Sequence, residues 1–190
     1  MSSPNPGSPG LQPSAPKYRR VIVRGTSGAG KTTFSRAVGE KLKIEVTEID
    51  SYQHLPGWTE RPHEELCELM AEVVEKDSWV IDGNYQKVMG PHQHKADLIV
   101  WLDYSFLTVF GRLFYRTMRR MITREELWSG NRETFFKQFF TRDSILWWMI
   151  TTHKRRRDQC AEQEREFADS DVEFVRFRKP RDAESWLRNL

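Results

Sequence analysis

The sequence predicts a three-layer α/β/α fold built on a five-stranded parallel sheet, and three observations carry that expectation. Apolar runs at 21–23, 44–49, 78–81, 98–102 and 172–177 alternate with segments of helical periodicity, the pattern of a parallel sheet covered on both faces. The first run leads into Gly25-Thr26-Ser27-Gly28-Ala29-Gly30-Lys31-Thr32, which satisfies G-x-x-x-x-G-K-[ST] at every defined position and is followed by a helical pattern over 33–42. Further runs end at Asp50, Asp82 and Asp103, and open parallel sheets bind their ligands beyond the carboxyl ends of the strands.

The glycine loop accounts for its own residue types. Gly25, Gly28 and Gly30 permit backbone angles and close approaches that a side chain would block, so consecutive N–H groups, those of Thr26, Ser27 and Ala29 included, can face phosphate oxygens. The helix starting near Gly30 adds the positive end of its dipole. Lys31 reaches the β- and γ-phosphates as a mobile charge, the Thr32 hydroxyl is placed to ligate Mg²⁺, and Thr33 is placed at the α-phosphate. The expected class is therefore a P-loop protein that binds a nucleoside triphosphate with Mg²⁺.

Composition bounds the rest. At 190 residues, the chain suits one domain with a full core. Residues 1–16 hold five Pro and no charged side chain, which predicts a disordered extension over 1–17 ahead of a domain at 18–190. Cys67 and Cys160 are the only cysteines, too few for a disulfide framework or a zinc site and in keeping with a reducing cytoplasm. The longest apolar run, 145–150, is far too short to span a membrane. The assembly expected is a monomer or dimer. Residues 112–157 carry twelve Lys/Arg against four Asp/Glu, so this insert holds a surplus of eight positive charges while the remainder sums to −5. Such a local surplus suits a partner bearing phosphates, whether a nucleotide or a nucleic acid.

Along the chain, 44–49 forms the second strand with Asp50 at its end. A carboxylate there holds Mg²⁺ through water or accepts a proton from an attacking hydroxyl; a turn aspartate before Ser51 is the alternative. Residues 51–61 read as a loop around Pro56-Gly57, with Trp58 placed either to stack on an acceptor or to cover the next helix, and Arg61 placed to contact an anion. Pro62 opens a helix whose stripe is Leu66, Leu69, Met70, Val73 and Val74. The third strand, 78–81, runs into Asp82, placed to hold the Mg²⁺ shell beside the Thr32 hydroxyl. After the strand at 98–102, a helix from about Ser105 to Ile122 gathers Phe106, Val109, Phe110 and Leu113 on one face and Arg112, Arg116, Arg119 and Arg120 on another. A second aromatic-rich helix follows Asn131, and Lys154-Arg155-Arg156-Arg157 reads as a solvated helix surface, with a nucleic-acid contact as the alternative. The last strand, 172–177, precedes a helix opened by Pro180.

With these pieces together, the chain resembles the adenylate kinase-like group of P-loop kinases, and within it the small DNA-topology-modulation proteins, over roughly 19–190. At group level the resemblance rests on GTSGAGKT, on Asp50 and Asp82, and on Arg112-x-x-x-Arg116 after the LDY strand. The longer strings HLPGW at 54–58, RPHEEL at 61–66, WVIDGNY at 79–85 and ADLIVWLDY at 96–104 carry the subfamily level. The resemblance implies a helical, arginine-rich lid over about 112–157 that closes on the transferring phosphoryl group, with Arg112, Arg116 and Arg132 as its catalytic arginines. It also implies that Arg178-Lys179-Pro180 lies where related kinases wrap the adenine. One departure stands out: Asp82-Gly83-Asn84-Tyr85-Gln86 replaces the D-G-F-P-R of nucleoside-monophosphate kinases, so an arginine that would hold an acceptor's phosphate is missing.

These readings converge on an ATP- and Mg²⁺-dependent phosphotransferase acting on a small hydroxyl- or phosphate-bearing acceptor, with Lys31, Asp50, Arg112, Arg116 and Arg132 as the catalytic set. The alternatives are a nucleotide-regulated nucleic-acid-binding protein that uses the basic insert and an NTPase without an acceptor.

Overall fold

Strands written as uninterrupted apolar runs have no face to give to water and must be buried on both sides. In the computed structural model, which describes residues 17–123, 128–130 and 145–190, they are. In chain order the strands are β1 (Arg20–Gly25), β2 (Val46–Glu48), β3 (His54–Leu55), β4 (Thr59–Glu60), β5 (Trp79–Asp82), β6 (Leu98–Leu102) and β7 (Glu173–Phe177). Five of them form one parallel sheet in the order β2-β5-β1-β6-β7, and β3 pairs with β4 apart from it. The helices are α1 (Lys31–Leu42), α2 (Ile49–Gln53), α3 (His63–Val74), α4 (Gln86–Met89), α5 (Phe106–Thr123), α6 (Ile145–Glu166) and α7 (Pro180–Arg188).

The period of two along each strand divides the interior into two cores. Val21, Val23, Val80, Leu98, Val100 and Leu102 face one side, where α1 brings Phe34 and Val38, α5 brings Val109 and Leu113, and α7 brings Ala183. Ile22, Ile81 and Ile99 face the other, against Leu66, Met70, Val73 and Val74 of α3 and Val88 and Met89 of α4. This is the expected three-layer arrangement. Helix α6 reaches both cores: Met149 near its start belongs to the first, while Phe167 just past its end packs on the second.

Strand β1 lies at the centre. The chain leaves it for β2 and β5 on one side and later for β6 and β7 on the other, so a crevice opens beyond its carboxyl end. The glycine loop fills that position.

Two segments differ from the sequence-based expectation. The second strand stops at Glu48, because its ladder with β5 ends at Glu48↔Asp82; the fully buried Ile49 and then Asp50 begin α2. Asp50 therefore projects from a first helical turn rather than from a strand end. Residues 51–61 are not a plain loop but a hairpin, with Leu55 opposite Thr59 and His54 opposite Glu60 around a turn in which Gly57 has φ 72°. Strands of two residues carry no alternation to read. The N-terminal extension at 1–16, Arg132 and the start of the aromatic-rich helix lie outside the described residues.

Candidate active site

The loop is fixed by what surrounds it. Ala29 N–H donates to Thr26 O at 3.1 Å inside the loop, and Phe34 N–H donates to Gly30 O at 3.0 Å as α1 begins. Gly28 has φ +87°, and a Cβ there would lie 2.4 Å from the Val109 carbonyl oxygen and 2.9 Å from Leu113 Cβ, so α5 is seated directly on the loop. Gly28→Ala is thus expected to lower Tm by about 5 °C, from the strain of a left-handed non-glycine residue, and to weaken nucleotide binding by about tenfold as the loop shifts. Thermal unfolding and a nucleotide titration check both.

Lys31 and Thr32 open α1, and across from them Asp82 closes β5 at 5% exposure. Thr32 Oγ1 donates to Asp82 Oδ2 at 2.6 Å. The other carboxylate oxygen, Oδ1, is buried with no hydrogen-bond partner. Burial pushes the Asp82 carboxyl above its ordinary range, against the opposing pull of the Lys31 charge and the Thr32 hydroxyl. A carboxylate oxygen left without a donor beside a hydroxyl at the mouth of a phosphate loop suits a hard cation that takes its remaining oxygens from phosphate and water. Among the described residues no cluster of three His, Cys, Asp or Glu side chains is formed.

Asp50 faces the same crevice, where Tyr85 O–H donates to its Oδ1 at 2.7 Å. Burial, then the Asp50 charge, push the Tyr85 phenol up, so it stays a donor. Asn84, beside it, bonds to both backbone groups of Gly25. A narrow cavity between the end of β1 and α6 is lined by Gly25, Thr26, Asn84, Asp103, His153 and Arg156 among others. The run Lys154-Arg155-Arg156-Arg157 is therefore only partly a solvated surface. Lys154 and Arg155 are exposed, but Arg156 is half-buried. Burial and Arg155 lower the Arg156 pKa, while Cys160, Tyr85 and Asp50 oppose that shift.

Arg157 turns to Asp103, which it meets at 2.8 Å. Asp103 is buried at the end of β6 and also takes Arg176 of β7, at 2.6 Å, while the Arg176 guanidinium stacks 4.1 Å from the Trp101 ring centroid. This knot ties α6 to the ends of β6 and β7. Beneath the loop, the buried Arg24 of β1 meets Gln163 of the same helix.

The remaining expected residues separate. Arg112 of α5 comes to the loop, its Nη1 donating to Ala29 O at 3.4 Å and its guanidinium lying 5.5 Å from the Tyr104 ring centroid. Arg116 is exposed one turn further on, and Arg178 is exposed just past the end of β7, the edge strand. Arg61 is taken up by the helices on either side of the hairpin: it donates from Nε to Tyr52 O of α2 at 2.7 Å and pairs with Glu65 of α3 at 3.2 Å. Trp58 is half-buried edge-on to His54, with ring centroids 5.5 Å apart. Sequence reasoning passed over Asn84, Tyr85 and Arg156. The departure at Asp82-Gly83-Asn84-Tyr85-Gln86 was the available signal for the first two.

No protein-family model matches the chain, and no curated protein matches it. Solved structures do. The shikimate kinase from Bacteroides thetaiotaomicron superposes with a TM-score of 0.54 at 18% identity, over 90% of this chain and 95% of that one. The shikimate kinase of Acinetobacter baumannii in complex with shikimate gives 0.53 at 14% identity, over 90% and 89%, and that of Aquifex aeolicus gives 0.52 at 15%, over 90% and 92%. The chain has the P-loop kinase fold. Within a P-loop kinase fold the glycine loop, Asp82 and Asp50 stand around one crevice, and no described helix is long and apolar enough to cross a membrane.

Proposed function

We propose that this protein is an ATP- and Mg²⁺-dependent phosphotransferase acting on a small hydroxyl- or phosphate-bearing acceptor. The observation that carries the reading is the 2.6 Å contact of Thr32 with Asp82 at the mouth of the phosphate loop, with the second Asp82 oxygen unpaired. The amides of 25–33 and Lys31 hold the triphosphate, and Thr32 and Asp82 take the metal. Bound Mg²⁺ supplies screening of the phosphate charge. Asp50, oriented by Tyr85, positions or deprotonates the acceptor hydroxyl. Arg112 and Arg116 on α5 stabilise charge on the transferring oxygens, Arg132 joins them, and Arg178 lies toward the base of the nucleotide.

The test is ADP release by the wild type in parallel wells of MgATP alone and with nucleoside monophosphates, nucleosides, small hydroxy acids and sugars, or duplex DNA. One small acceptor raising turnover well above the ATP-only rate supports the reading. Stimulation by DNA alone transfers the site to nucleotide-regulated nucleic-acid binding, and unstimulated hydrolysis makes the protein an NTPase.

A further inference from the structure

The backbone of β5 stops pairing with β1 one step too early for the loop. The ladder ends at Val23↔Asp82, and Gly83 N–H makes a last bond to Val23 O at 3.2 Å. Gly25, the first residue of the loop, points both its N–H and its C=O to the side where β5 is no longer present, as the two groups of one strand residue do. Asn84 fills that gap with its side chain. Gly25 N–H donates to Asn84 Oδ1 at 3.0 Å, and Asn84 Nδ2 donates to Gly25 O at 2.5 Å. A carboxamide carries the same donor and acceptor as a peptide group, and only one orientation of it satisfies both bonds. The next side chain, Tyr85, donates to Asp50 of α2 at 2.7 Å. Consecutive residues thus hold the nucleotide side and the acceptor side.

We propose that Asn84 and Tyr85 act as a brace: Asn84 is a positioning residue that prolongs the sheet by one residue to set the strand-to-loop turn, and Tyr85 is a positioning residue for Asp50. The proposal rests on the phosphotransferase reading of the same crevice. It assigns the two side chains to different kinetic steps. Asn84 acts on binding of the triphosphate, because Gly25 begins the chain of loop amides. Tyr85 acts on turnover, because it holds one Asp50 oxygen in place while the other is left to the acceptor.

The test compares the wild type with N84A, N84D, Y85F and K31A in titrations with Mg²⁺ and the non-hydrolysable analogue AMP-PNP, together with Tm and ADP release from MgATP in the presence of the small acceptor that the ADP-release panel identifies. N84A is expected to raise the AMP-PNP Kd about tenfold, the equivalent of losing the net contribution of these hydrogen bonds, with Tm close to that of the wild type. N84D keeps the acceptor for Gly25 N–H but sets a carboxylate oxygen against Gly25 O, and weakens binding further. Y85F is expected to leave Kd within about twofold and lower turnover about tenfold. If N84A does not fold, N84D decides. Folded N84A or N84D that binds AMP-PNP as the wild type does overturns the role of Asn84, and so does a lowered Tm with unchanged Kd. Unchanged turnover in Y85F overturns the role of Tyr85. These outcomes leave the nucleotide reading standing if K31A has lost binding. A wild type that does not bind AMP-PNP, or a K31A variant that binds it equally well, overturns that reading and the brace with it.

Discussion

Replacing Lys31 by Ala is expected to abolish saturable binding of the triphosphate and to lower the rate of phosphoryl transfer by about 10³, the scale of losing one preorganised charge at the site. Lys31 stands in the first turn of α1, directly after the loop glycines, and its charge is felt at Asp82 across the crevice. It lies on the surface of the site rather than in either core, so its loss removes no packing and Tm should change little. The two effects therefore separate: ADP release collapses while the thermal transition stays in place. A K31A enzyme that turns over at a third of the wild-type rate would remove Lys31 from the chemistry.

Asp82→Asn makes the second large effect, with activity and stability moving in opposite directions. The carboxylate is buried with one oxygen bonded to Thr32 and the other without a partner. Its pKa in the folded protein is raised above the ordinary 3.8 by burial. The sign follows: a carboxyl whose folded pKa exceeds its unfolded one binds its proton more tightly when folded, so its charged form opposes folding above that pKa. As pH falls through the raised pKa, that opposition disappears. In the metal-free protein D82N should be at least as stable as the wild type at neutral pH, and should lack the gain that the wild type shows on acidification. Its Mg²⁺-dependent turnover should nevertheless fall by about 10², because a neutral amide is a poor ligand for a hard cation. Thermal unfolding across pH and a Mg²⁺ titration of ADP release measure the two halves.

The layers of the fold were legible because burial on both faces leaves an unmistakable trace: Leu98–Leu102 is apolar at every position and buried at every position. The phosphate loop was legible for a different reason, since its glycines, Lys31 and Thr32 follow one another at a fixed spacing within eight residues. The contacts that surround the loop were less so. Asn84 reaches Gly25 across 59 positions, Tyr85 reaches Asp50 across 35, and Arg176 reaches Asp103 across 73. Those meetings are set by the crossing of the chain over β1, which no spacing in the sequence reveals. The run at 154–157 shows the same limit on a helix. Four consecutive basic residues look alike in sequence, yet the turn of α6 sends Lys154 to solvent, Arg156 to the cavity lined by Asn84 and Asp103, and Arg157 to Asp103 itself.

The central claim is that the crevice at the end of β1 binds MgATP and transfers its γ-phosphoryl group. Phosphorus NMR of MgATP tests it most directly, with the wild type and K31A examined in the presence of the acceptor found by the ADP-release panel. The account predicts that the wild type perturbs the β- and γ-resonances saturably and that ADP and a new phosphate-ester signal grow together at the expense of ATP, with neither change in K31A. An ATP spectrum unaltered by the wild-type protein would contradict it.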